Sequence, residues 1–306
     1  MSLVTAAPPV LRGILPAIVT PIDEHERFQP DAFEQLVARL YGAGVHGLYV
    51  CGQTGEGMQL STPQRKAAAE AAVRLSSPGK IVIVHAGAYT TSEAVELAQH
   101  AAAIGAHAVS ALPPAGHYSF SEIHEYYRLI AEASEAPLLI YYFPSFSTAI
   151  QTIEELETLC RIPNVAGLKF TSADLFRLWA VRQTGATVFN GFDEMLAAGL
   201  LMGASGGIGS TYNLLPEHYV RLYGHAQEGR WDEARKQQDL INEFIRVILR
   251  FGVNPSLKAI LAWTKIDCGK CIAPRRVLTP IEEADLHSQI KKTKLGAELL
   301  SAYSYR

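Results

Sequence analysis

A chain of 306 residues is long enough for one large barrel with a small appendage, or for two ordinary domains. Hydrophobic residues make up 48% and charged residues 19%, with acids and bases interspersed to a net charge of −3. That mixture describes a globular protein with a sizeable core, and it offers no basic cluster to a nucleic acid or a membrane surface. No apolar run is long enough to span a bilayer, and Arg12 interrupts the first apolar residues before they resemble a secretory signal. The expected location is the cytoplasm.

After residues 1–9, whose composition suggests disorder, short apolar runs alternate with longer helical patterns. The predicted strands cover residues 14–19, 47–51, 81–85, 106–111, 138–142, 165–170, 187–190 and 206–208. They are continuously apolar and rich in β-branched residues, as strands buried on both faces are. Asp31, Thr90, Ser119 and Thr152 each precede a glutamate by three residues, the spacing of a capping box at a helix start. Pro63 follows Thr62 where a first-turn proline belongs, and Gly44, Gly105 and Gly185 stand where helices stop.

Eight strands alternating with helices predict an α/β fold, a closed (β/α)8 TIM barrel over residues 1–228, with an open doubly wound sheet as the alternative. From residue 229 the strands cease. Residues 231–251, 254–266 and 281–303 read as helices, so 229–306 is expected to form a C-terminal helical region rather than a second enzyme domain.

Cys268-Gly-Lys-Cys271 has the spacing of a redox or metal motif, yet no second ligand pair accompanies it. Cys51, Cys160, Cys268 and Cys271 are read as ordinary thiols. The ten histidines also lack ligand spacing, so no metal is expected.

In a barrel of this type the active site lies at the C-terminal ends of the strands. Unusual polar residues gather at those ends here. Strand two runs into Cys51-Gly-Gln-Thr-Gly-Glu56, where glycines let the backbone approach a ligand and amides near Thr54 can hold a carboxylate. A plain tight turn has the same composition. Strand five ends in Tyr141-Tyr-Phe-Pro144, and a tyrosine there can relay protons or simply pack. Strand six carries Lys169 between Leu168 and Phe170. Buried lysines are rare, and burial favours the neutral amine that Schiff-base chemistry needs. A snorkelling or ion-paired lysine is the plainer reading. Strands seven and eight lead into Asn190-Gly-Phe-Asp193-Glu194 and Gly206-Gly-Ile-Gly-Ser210-Thr-Tyr-Asn213. The acids suit polyol hydroxyls or a helix cap, and the glycine loop suits a phosphate.

These residues together resemble the dihydrodipicolinate synthase / N-acetylneuraminate lyase family over nearly the whole chain. Gly52-Gln-Thr-Gly-Glu56 matches its Gly-x-Thr-Gly-Glu motif, Tyr141 with Pro144 its Tyr-x-x-Pro, and Lys169 its Schiff-base lysine. The segments 168–174, 190–194 and 206–213 are similar to the lyase branch. The resemblance implies that Lys169, Tyr141 and Thr54 are catalytic, and that Gly52, Gln53 and Gly55 bind the pyruvate carboxylate. It also implies that Thr171, Gly191, Asp193, Glu194 and Ser210 contact a sugar-like tail. The synthases place an arginine where this chain has Phe146, which argues against lysine biosynthesis. Three positions depart from the pattern. Gln53 replaces a small hydroxyl residue, Tyr142 an asparagine, and the 113–118 loop, with His117 and Tyr118, lacks the paired aromatics that many members present to a neighbouring subunit.

The expected activity is reversible aldol cleavage of a hydroxylated 2-oxo acid, N-acetylneuraminate or a related sugar acid, to pyruvate and an aldehyde. The expected enzyme needs no cofactor and assembles as a homotetramer. Alternatives that keep the Schiff base are cleavage or dehydration of a 2-keto-3-deoxy sugar acid and hydratase-aldolase chemistry on an aromatic pyruvate adduct. A flavin- or phosphate-binding barrel and a sensor without turnover are the readings from other classes.

Overall fold

The computed structural model describes residues 10–304. The 1–9 segment, expected to be disordered, lies outside the described residues. Eight strands form one parallel sheet: β1 Gly13–Pro16, β2 Gly47–Val50, β3 Ile81–His85, β4 Ala108–Ala111, β5 Leu138–Tyr142, β6 Val165–Phe170, β7 Thr187–Asn190 and β8 Gly206–Gly209. Each strand from β2 to β8 pairs with its successor or predecessor, and β1 pairs with β8. The last seam, between β1 and β2, is closed by a bridge from Ala17 to Tyr49. The result is the predicted barrel.

Helices fill the connections: α1 Pro30–Gly42, α2 Thr62–Arg74, α3 Thr91–Ala103, α4 Phe120–Ala133, α5 Ile153–Cys160, α6 Leu175–Arg182, α7 Leu196–Leu201 and α8 Pro216–Gln227. Ser119 and Thr152 make complete capping boxes with Glu122 and Glu155, and the Thr90 hydroxyl accepts from Glu93 N. The box expected at Asp31 does not form. Pro30 begins α1 two residues earlier, and Gln29 takes the cap position without a side-chain bond. Proline has the backbone angle a first turn requires and no N–H to satisfy, so it moves the start. Gly44, Gly105 and Gly185 hold the left-handed conformation just past α1, α3 and α6.

Residue alternation along the strands divides the interior into two apolar layers. Leu138, Ile140, Leu168, Phe170 and Val188 face outward to the helices. Leu139, Tyr141, Phe189 and Ile208 face into the barrel. Lys169 lies between Leu168 and Phe170, so it faces inward with Tyr141. A register shift between Leu138 and Leu139 brings Gly167 level with Leu139 and aligns Lys169 with Tyr141 and Phe189. A Cβ on Gly167 would meet Thr187 O at 1.8 Å, so only glycine lets β6 and β7 approach this closely.

The C-terminal region comprises α9 Trp231–Phe251, α10 Val253–Trp263, α11 Pro280–Lys292 and α12 Lys294–Ser304. The single helix expected over 281–303 is broken at Thr293. Its hydroxyl donates to Ile290 O, ending α11, and accepts from Gly296 N, starting α12. The buried stripe of α9, from Ala234 to Phe251, packs against α7, α8, α11 and α12. Among the described residues no helix is long and apolar enough to cross a membrane.

Candidate active site

The parallel strands open onto one rim, where a cavity of about 410 Å³ lies among the loops. Lys169 stands at its floor, 4% exposed. Its Nζ lies 4.0 Å from the centre of the Tyr141 ring and 4.3 Å from that of Tyr49. The amine makes no hydrogen bond or ion pair among the described residues. Burial pulls its pKa down to about 7, against the neighbouring Asp193 carboxylate, which pulls it up. A substantial fraction is therefore the neutral nucleophile at physiological pH.

Tyr141 is set beside Lys169 by the β5–β6 register. Its ring stacks on Phe143 at 6.0 Å and meets the edges of Tyr49 and His85. Burial pushes the phenol well up, so it remains a proton donor. Beside the Tyr141 hydroxyl, Thr171, just past β6, lines the cavity with its buried Oγ1. Gly191 leaves room for it, since a Cβ there would come within 2.0 Å of that oxygen.

Thr54 Oγ1 lies 2.7 Å from Ser210 Oγ, which links the loops after β2 and β8 across the cavity. Gln53 also lines the cavity, but its Oε1 accepts from Arg275 Nη2 at 2.9 Å. Gly52 and Gly55 are not in the lining. They let the loop pack: a Cβ would meet the Tyr49 ring at 2.4 Å from Gly52 and Ile18 O at 2.9 Å from Gly55.

The two acids differ. The Asp193 carboxylate accepts from Ser210 N, Thr211 N and Thr211 Oγ1 at 3.2, 2.6 and 2.5 Å, so it braces the turn after β8. Burial raises its pKa to about 6 despite those bonds. Glu194 is half-buried, and its carboxylate has no hydrogen-bond partner among the described residues. Both sit on a short 3-10 turn held from behind by α9, where Gln238 Nε2 donates to Asp193 O and Asn242 Nδ2 to Glu194 O.

Sequence reasoning missed the contribution of the C-terminal region. Ile245, Ile248 and Leu249 of α9, Val253 and Asn254 of α10, and Arg275 complete the cavity wall. One signal was present: Lys258 interrupts the apolar face of α10 and requires an acid. Glu56, fully buried, supplies it at 2.7 Å.

A model of the dihydrodipicolinate synthetase family matches residues 10–293. The chain is 39% identical to an N-acetylneuraminate lyase of Rhizobium meliloti (strain 1021) over 280 residues, which cover 90% of this chain and 92% of that protein. Its fold is similar to that of CdNal from Clostridium difficile, solved with mannosamine, at a TM-score of 0.87 and 28% identity over 96% and 99% of the two chains. It also resembles a catalytic lysine mutant of the Ruminococcus gnavus sialic acid aldolase, at 0.89 and 26% over 96% and 99%.

Proposed function

The chain belongs to the dihydrodipicolinate synthetase family, and from that premise we propose that it is a class I aldolase cleaving hydroxylated 2-oxo acids reversibly to pyruvate and an aldehyde. The observation that carries this reading is the buried amine of Lys169 at the cavity floor, unpaired among the described residues and set against the faces of Tyr49 and Tyr141.

Neutral Lys169 attacks the C2 ketone, and the carbinolamine loses water to give an iminium. Tyr141 donates and recovers the protons of these steps. The iminium charge then lies over two aromatic faces, which favours it over the neutral amine. The bond between C3 and C4 breaks, its electrons pass to the iminium nitrogen, and the C4 hydroxyl gives up its proton as the aldehyde leaves. Protonation of the enamine at C3 and hydrolysis release pyruvate and restore Lys169. The substrate carboxylate rests on the loop at Thr54. Glu194, whose carboxylate has no hydrogen-bond partner among the described residues, and Thr171, which lines the cavity, receive hydroxyls of the tail. Phe146 lines the cavity where a synthase would need a cation, which favours the lyase reaction.

A second reading has its own observation. Phe143, Phe146, Ile245, Ile248 and Leu249 give one apolar wall, which suits an aromatic pyruvate adduct and hydratase-aldolase chemistry. Pyruvate release from N-acetylneuraminate and from an aromatic adduct, compared as kcat/KM, decides between them. Preference for the aromatic substrate would overturn the first reading. The protein is further proposed to be cytoplasmic and homotetrameric. The stacked Phe176 and Trp179 on α6, 65% and 43% exposed, suit an interface between copies. Light scattering at micromolar concentration should give four chains, and a monomer would contradict it.

A further inference from the structure

We infer that Asn254 and Arg275 are positioning residues that fix the Gln53–Thr54 peptides, so that the free N–H groups of the loop receive the carboxylate of the 2-oxo acid. The inference rests on the proposed Schiff-base reaction and adds the device that seats its substrate.

Asn254 Nδ2 donates to Thr54 O at 3.1 Å and to Gln53 O at 3.4 Å. Arg275 Nη2 donates to Gln53 O at 3.2 Å and to Gln53 Oε1 at 2.9 Å. Both carbonyls are therefore held toward the C-terminal region, and Gln53 O also accepts from Glu56 N at 3.2 Å within the turn. In a planar trans peptide the N–H of the next residue points the opposite way. The N–H groups of Thr54 and Gly55 thus face away from α10. Neither finds an acceptor among the described residues, although Thr54 is 4% exposed and Gly55 is buried. Buried backbone donors are almost always paired, and two consecutive free ones in a loop whose Thr54 lines the cavity form a receptor for an anion.

The charges agree. Glu56 faces Lys258 at 2.7 Å and Arg275 at 3.9 Å, so two cations meet one buried carboxylate. The surplus positive charge lies directly behind the loop and favours an anion on it. The Gln53 side chain is turned to Arg275, so recognition falls to the backbone and to this charge.

Borohydride trapping on Lys169 with two ketones tests the inference. Pyruvate carries the carboxylate and hydroxyacetone lacks it. In Asn254→Ala and Arg275→Gln the pyruvate concentration for half-maximal trapping should rise roughly 10- to 100-fold, the usual worth of bonds to a charged group. Trapping of hydroxyacetone should stay at the wild-type level. If Arg275→Gln fails to fold, Arg275→Lys keeps the charge without the fork and should give a smaller rise for pyruvate alone. Equal losses for both ketones, or none for either, would overturn the inference. Wild-type protein that traps neither ketone would instead contradict the Schiff-base reading.

Discussion

The two walls of the cavity are built in different ways. Over β5 to β8, side chains project from strand ends: Tyr141, Lys169 and Thr171 owe their positions to pleat and register. Across from them, the loop after β2 presents backbone, and its orientation is set by Asn254 and Arg275, which lie 200 and 222 positions along the chain from Thr54 and Gln53. The first wall supplies reactive groups from a rigid scaffold. The second supplies a shaped cradle that the C-terminal region braces from behind. Chemistry and substrate seating are thus separable, and substitutions in each wall should fail differently.

The largest effect belongs to the strand wall. Lys169→Met keeps the length and the apolar stem of the side chain without the amine and should abolish pyruvate formation, leaving circular dichroism unchanged. Residual turnover above background would move the chemistry elsewhere. Tyr141→Phe should slow kcat by roughly 10²- to 10⁴-fold while pyruvate still binds, because the ring face remains and only the proton carrier is lost. A variant within about twofold of wild type would reduce Tyr141 to packing.

The two acids after β7 give smaller effects. Glu194→Gln should lower kcat/KM for a polyhydroxylated substrate by roughly 10-fold, as expected for one hydrogen bond to a charged acceptor, and leave pyruvate trapping alone. An equal loss on pyruvate would place Glu194 in the chemical step. Asp193→Asn should act through pH. The acid limb of kcat/KM should follow Lys169, rising as pH passes about 7 and the amine loses its proton. Asp193 raises that pKa, so its neutral replacement should shift the limb to lower pH. A limb that stays in place would show that Asp193 serves only the turn after β8.

The same contrast governs what was legible in the sequence. The bounds of β3, β5, β6 and β7 follow from short apolar runs between turn residues, because strands buried on both faces leave a continuous pattern. Lys169 was legible as a charge inside such a run. The role of Asp193 was not. A carboxylate after a strand reads the same whether it faces a ligand or braces the next loop, and here it takes three bonds from Ser210 and Thr211. Asn254 and Arg275 were also hidden. Helical periodicity marks which face of α9 is buried, but not which loop lies beneath a residue after α10, since that depends on how the helices close over the barrel. The break at Thr293 was missed because a threonine inside a polar helical pattern gives no strong stop.

The most direct measurement of the central claim is the mass of the intact protein after incubation with pyruvate and borohydride. One covalent adduct per chain is expected, peptide mapping should place it on Lys169, and Lys169→Met should carry none. No adduct, or an adduct on a different lysine, would contradict the account.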